Sequence, residues 1–297
     1  MKLLCSLLIL LAALPVFSFA SPIWNQTPLN YRTKNFHMGY YMSSVTNTQK
    51  KFIVRVPKRY VPGQPVELVY FLAGGSGEAE NMATALEYLS PYLDNPIFDN
   101  VLFVAPDAKN AGLWSDTPIF KNEQMVFELI EYIERNIPHT PGRKLIGHSL
   151  GGTGALHFAY KYGNKFDAMA SISPAILKWS PFEVTDELIK NYIRDHAPNI
   201  DFDYFKMFIL SIRDSFAMPE YWKRYDFYER LPTQNLPKCY AIFTGAKDSL
   251  GFAFLGREFI RIARTYNKNV LYYEDPSRDH AVDKSILEVM QFFRTCQ

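Results

Sequence analysis

The residues with the plainest chemical reading are Gly147-His148-Ser149-Leu150-Gly151, a G-x-S-x-G placed between an apolar run and a helical one. A serine on a tight strand-to-helix turn has its hydroxyl lifted clear of the sheet. The flanking glycines are needed because a side chain there would strike the neighbouring strand or helix. A hydroxyl is a weak nucleophile at its own pKa, so it needs a base, and the base needs an acid to orient it. Of the six histidines, His37, His139 and His148 precede or adjoin the serine, His157 lies two turns into the following helix, and His196 sits in a non-alternating segment. His280, in Ser277-Arg278-Asp279-His280, follows a late strand and is the expected base. Asp248, in Thr244-Gly245-Ala246-Lys247-Asp248, ends the preceding strand and is the expected acid; a loop aspartate there could also simply cap the next helix. Asp275 and Asp279 lie too near His280 in sequence to come from a separate strand end. Nucleophilic catalysis also needs donors for a developing oxyanion. The amide of Leu150, just after the serine, is one candidate, and Gly74 or Gly75 in Leu72-Ala-Gly-Gly-Ser-Gly77 supplies the other.

These groups need strand ends to hold them. Phe52 to Pro57, Glu67 to Leu72, Val101 to Ala105, Lys144 to Gly147, Ala168 to Ser171, Tyr240 to Thr244 and Val270 to Tyr273 read as strands. Between them, Glu78 to Leu89, Glu123 to Ile137, Gly151 to Tyr162, Phe252 to Tyr266 and Val282 to Phe293 have helical spacing. Such alternation predicts an α/β fold, a mostly parallel sheet with helices on both faces.

With these elements in place, the chain resembles the putative esterase (esterase D-like) branch of the α/β-hydrolases, from about Phe36 to Phe293. That branch includes feruloyl and acetyl-xylan esterases, S-formylglutathione hydrolase and mycolyltransferases. The likeness is carried by Arg143-Lys-Leu-Ile-Gly-His-Ser-Leu-Gly-Gly-Thr-Gly-Ala-Leu156 and by Lys165-Phe-Asp-Ala-Met-Ala-Ser-Ile-Ser-Pro174. It implies the α/β-hydrolase fold, with nucleophile, acid and base at Ser149, Asp248 and His280. The expected activity is that of a secreted serine hydrolase cleaving carboxylic esters through an acyl-enzyme. The alternatives are an acyltransferase with the same triad and a non-catalytic binding protein on the same fold. Two positions depart from the family pattern. Ala73-Gly74 stands where His-Gly is common, which removes a side chain that shapes the oxyanion loop. Asp279 stands where glycine often precedes the histidine, and a carboxylate next to an imidazole favours its charged form.

The stretch Ile176 to Lys238, about 176–238, breaks the alternation and is rich in aromatic residues. Placed after a strand end, it is expected to overhang the site as a lid, with Trp179 and Trp222 beside Trp114 as candidate pocket walls. Residues 1–20 have a lysine, an apolar stretch too short to span a bilayer and a small-residue end at Ser18-Phe-Ala20, so they read as a cleaved signal peptide ahead of one domain over 21–297. Export, secreted or periplasmic, suits a disulfide between Cys239 and Cys296, since Cys5 leaves with the signal and the last helix runs back toward the start of the Tyr240 strand. The net charge of +2 over 297 residues argues against a nucleic-acid partner. The expected partner is a small-molecule, polysaccharide or lipid ester, with no stable membrane insertion. No cofactor is implied. There is no H-E-x-x-H and no paired cysteines at finger spacing, so no metal is expected.

Overall fold

Leu68, Tyr70 and Leu72 point to one side of their strand and Val69 and Phe71 to the other, and all five are buried. A strand apolar on both faces belongs in the middle of a sheet covered on both sides. The two sets enter separate cores. One also holds Phe52, Val104, Leu145 and Ile242, and the other Ile53, Phe103, Ile146 and Phe243. The computed structural model describes residues 23–28, 35–75, 89–108, 113–280 and 282–296. The leader expected at 1–20 and most of the helix expected over Glu78 to Leu89 lie outside the described residues.

The described strands are β1 (Trp24–Pro28), β2 (Phe36–Ser43), β3 (Thr48–Arg55), β4 (Glu67–Leu72), β5 (Val101–Pro106), β6 (Lys144–His148), β7 (Ala168–Ile172), β8 (Tyr240–Gly245) and β9 (Leu271–Asp275). They form one sheet in the order β1-β2-β3-β5-β4-β6-β7-β8-β9. From β5 to β9 every pairing is parallel, while β1, β2 and β3 join antiparallel. The fold is that of an α/β-hydrolase. The β2–β3 hairpin is the main addition to the sequence reading. Its first strand carries Gly39, which lowers strand propensity, yet the glycine is required: a Cβ there would enter the Phe52 ring across the hairpin.

The helices are α1 (Asn122–Asn136), α2 (Leu150–Tyr162), α3 (Asp186–His196), α4 (Phe202–Phe216), α5 (Pro219–Tyr225), α6 (Phe227–Arg230), α7 (Phe252–Thr265) and α8 (Ser285–Thr295). Helices α3 to α6 fill the non-alternating stretch. Among the described residues, no helix is long and apolar enough to cross a membrane. Cys239 and Cys296 form a disulfide with Cα atoms 5.7 Å apart, tying α8 to the start of β8. It closes a loop of 57 residues, which on loop-closure grounds stabilises the fold by about 2 to 4 kcal/mol. Replacing both cysteines by serine is expected to lower the melting temperature by about 4 to 16 °C. A scan showing no change would mean that the cross-link constrains nothing that unfolding releases.

Candidate active site

Ser149 sits between β6 and α2 with φ 56° and ψ −120°. A non-glycine residue at positive φ is strained, and the surroundings hold it there. Its amide donates to Ile172 O at 2.9 Å, and its carbonyl accepts from Thr153 N at 3.0 Å, the first bond of the helix. Each glycine of the motif has a measurable reason. A Cβ on Gly147 would collide with the carbonyl of Gly151, and one on Gly151 would collide with the carbonyl of Leu72 on β4. The turn therefore packs against the next strand and against its own helix.

Asp248 follows β8 and its side chain is fully buried. His280 follows β9, and its Nδ1 lies 2.8 Å from Asp248 Oδ2. The other Asp248 oxygen accepts from Leu250 N at 2.9 Å, so the carboxylate both holds the ring and shapes its own loop. An acceptor at Nδ1 fixes the tautomer that leaves Nε2 bare. The His280 ring packs edge-on against Phe252, 5.2 Å between centroids, and Phe252 also borders the cavity that Ser149 opens into. No hydrogen bond joins Ser149 Oγ to His280 among the described residues. Such bonds are often long in unliganded sites and close only with substrate.

His148 lies beside His280, ring centroids 5.0 Å apart, and is half-buried with its Nε2 shielded from solvent. Burial first, then the neighbouring imidazole, pushes its pKa well below the ordinary 6.5, and its Nε2 has no hydrogen-bond partner among the described residues. His148 is therefore neutral. His157 is lowered too, chiefly by burial and against the pull of Glu123. Both histidines bind a proton in the unfolded chain near pH 6.5 but resist it in the fold, so stability falls as pH drops below about 6.5. The slope is about 1 kcal/mol per pH unit for each. Melting curves should show a lower midpoint at pH 5.5 than at pH 7.5, and a flat profile would contradict these assignments.

Asp279 does not face the imidazole alone. Its Oδ1 accepts from His280 N at 2.6 Å and from Ser249 N at 2.7 Å. Burial raises its pKa, but these amides outweigh that and hold it below the usual carboxylate range. The residue in place of glycine thus ties the loop after β9 to the loop after β8.

Leu150 opens α2, where first-turn amides have no partner within the helix and the dipole favours negative charge. Gly75, at φ 62°, borders the same cavity as Ser149 and Leu150. Gly74 acts differently, because a Cβ there would come within 2.7 Å of Ser149 Cβ and 2.9 Å of His148 O. It is the spacer that lets the loop approach the serine.

The three tryptophans are not where the sequence reading put them. Trp114 is fully buried behind the loop that follows β4, its Nε1 donating to Ala73 O at 3.1 Å and its side chain filling the space that Gly154 leaves open. It props the loop instead of lining a pocket, which fits the absence of a histidine at position 73. Trp222 is buried against Phe216 and Tyr225 and donates to Asp226 at 3.1 Å. Trp179 packs edge-on to Tyr192 and borders a separate groove with Thr185, Asn191 and His196. The rings beside Ser149 are instead Tyr204, Phe205 and Phe208 of α4, facing Leu250 and Phe252. Together they enclose about 80 Å³, small against the roughly 300 to 1,000 Å³ of typical ligand pockets. Of the 176–238 stretch, it is α4 that borders the Ser149 cavity.

A model of the Putative esterase family matches residues 43–226. Among solved structures, this chain is similar to the S-formylglutathione hydrolase of Staphylococcus aureus, with 18% identity over 86% of this chain and 99% of that one and a TM-score of 0.57. The S-formylglutathione hydrolase of Agrobacterium tumefaciens shows 18% identity over 88% and 92%, with a TM-score of 0.58. A CE1 ferulic acid esterase from Anaeromyces mucronatus shows 18% identity over 87% and 89%, with a TM-score of 0.53.

Proposed function

This chain belongs to the Putative esterase family and is a carboxylesterase-type hydrolase, and from that premise we propose that it cleaves esters of short acyl groups through Ser149, His280 and Asp248. The observation that carries the reading is the Asp248–His280 contact on the face where Ser149 is held in its strained turn. In this mechanism Ser149 Oγ attacks the ester carbonyl while His280 Nε2 takes the hydroxyl proton and Asp248 steadies the charged ring. The amides of Leu150 and Gly75 donate to the tetrahedral oxyanion. Collapse breaks the ester bond, His280 returns the proton to the departing alcohol, and the acyl group stays on Ser149. Water, deprotonated by the same histidine, then attacks the acyl-enzyme and releases the acid and free serine.

The small cavity supports a short acyl group, and Tyr204 and Phe208 supply apolar walls that exclude a long one. The apolar leader and the disulfide both support export to an oxidising compartment, where such a bond persists. The test is reaction of the purified protein with a fluorophosphonate, followed by peptide mapping, alongside turnover of p-nitrophenyl acetate and octanoate. The expected result is one adduct, on Ser149, and a kcat/KM at least about tenfold higher for the acetate. A folded sample that takes no adduct would overturn the catalytic reading, and a preference for octanoate would overturn the acyl assignment.

A further inference from the structure

Away from Ser149, on the flank of α2, Glu123, His157 and Arg230 are all buried, and the mechanism uses none of them. His157 lies eight residues into the helix from Ser149, about 12 Å along its axis. Its Nε2 is 2.9 Å from Glu123 Oε1 and its Nδ1 is 3.0 Å from Arg230 Nη1. A guanidinium only donates, so Nδ1 is the acceptor and Nε2–H donates to Glu123: the imidazole is a neutral link between a cation and a carboxylate. The two charges therefore never touch.

The carboxylates nearby are already engaged. Glu123 accepts from the Asp116 amide, His157, Lys161 and Tyr162. Asp116 accepts from the amides of Glu123 and Gln124 and from the Gln124 side chain. Arg230 receives no such partner. Among the described residues it donates to Gln234 and to His157, lies over the Tyr160 ring at 4.8 Å, and joins no ion pair. Buried guanidinium groups are ordinarily matched by an anion, because taking the charge out of water is costly otherwise. Arg224, the next cation, lies over Tyr221 and also joins no ion pair among the described residues.

Both arginines border one cavity of about 340 Å³, with Lys161 at its edge and the rings of Tyr221, Phe216 and Tyr225 along its wall. Lys161 is ion-paired with Glu123, and Asp116 is taken up by amide donors, which leaves Arg230 and Arg224 as the cations without a matching carboxylate among the described residues. We propose that this cavity binds a small organic anion: a carboxylate or phosphate group on Arg230 and Arg224, with a flat apolar body against the tyrosines. Arginine suits such a head group because its planar fork matches two oxygens at once. The site is separate from the Ser149 cavity and does not depend on how Ser149 acts.

Titration calorimetry of the full chain at constant ionic strength, with benzoate and with phenyl phosphate, tests the proposal. The two probes share a ring and differ in head group. Saturable one-to-one binding of benzoate alone would assign a carboxylate ligand, and of phenyl phosphate alone a phosphate. Arg224→Gln changes an exposed side chain, so it should leave the melting temperature in place while weakening the bound probe about tenfold or more. Arg230→Gln should abolish binding; if that protein fails to fold, the Arg224→Gln result stands by itself. No saturable binding of either probe, or equal affinity in Arg224→Gln, would overturn the site.

Discussion

Replacing Ser149 by alanine should lower kcat for p-nitrophenyl acetate by roughly a million-fold, the order seen when the nucleophile of a serine triad is removed. The argument rests on what alanine leaves in place. The substitution removes one oxygen and adds nothing, and the backbone bonds from Ser149 N to Ile172 O and from Thr153 N to Ser149 O do not involve the side chain. Alanine bears a Cβ just as serine does, so the positive-φ strain and the clearance from Gly74 are unchanged. The melting temperature should therefore stay within a degree or two, and activity and stability separate cleanly. The residual rate should still exceed that in buffer, because the donors proposed at Leu150 and Gly75 persist and water can be the attacking group. A variant that keeps even a hundredth of the activity would show that the nucleophile is another residue.

Chain order and strand ends were enough to pair Asp248 with His280, whose side chains meet although they come from different loops. The reason is geometric: in a parallel sheet, loops that follow adjacent strands share one edge, and β8 and β9 are adjacent. The pocket was harder to read. The insertion carries many aromatic residues, and composition says nothing about which of them face inward. Helical spacing does carry that signal. Phe205, Ile209, Ile212 and Phe216 form the buried stripe of α4, and Tyr204 and Phe208, four apart, form the stripe beside it that turns toward Ser149. The large tryptophans misled because size favours burial as strongly as it favours a binding role. Trp114 is the sharper case: its part in holding Ala73 depends on Gly154 being small, a relation between residues forty positions apart that no local pattern shows. Strand β2, the first half of the β2–β3 hairpin, escaped for the same reason, since Gly39 weakens the strand signal and only the Phe52 ring opposite explains it.

Changing Asp248 to asparagine should cost about 10⁴ in kcat while leaving the fold intact, and the two oxygens of the carboxylate explain why both hold. Asparagine keeps one carbonyl oxygen, which can go on accepting from Leu250 N, so the turn after β8 survives. Tyr192, donating to Leu250 O at 2.9 Å, steadies that turn from the insertion side. The second oxygen becomes an NH₂ group facing His280 Nδ1. A donor there demands an acceptor, so the imidazole moves its proton to Nε2, the atom that has to receive the hydroxyl proton of Ser149. The base is then blocked by its own tautomer, although every heavy atom stays in place. Fluorophosphonate labelling should slow in parallel with turnover, because both need an activated hydroxyl. Asp279→Asn makes the informative comparison. Its amide oxygen can still accept from Ser249 N and His280 N, so it should lose far less activity than Asp248→Asn. If the two variants changed places in that ranking, the orienting acid would be Asp279, and the buried carboxylate of Asp248 would serve only to close its own turn.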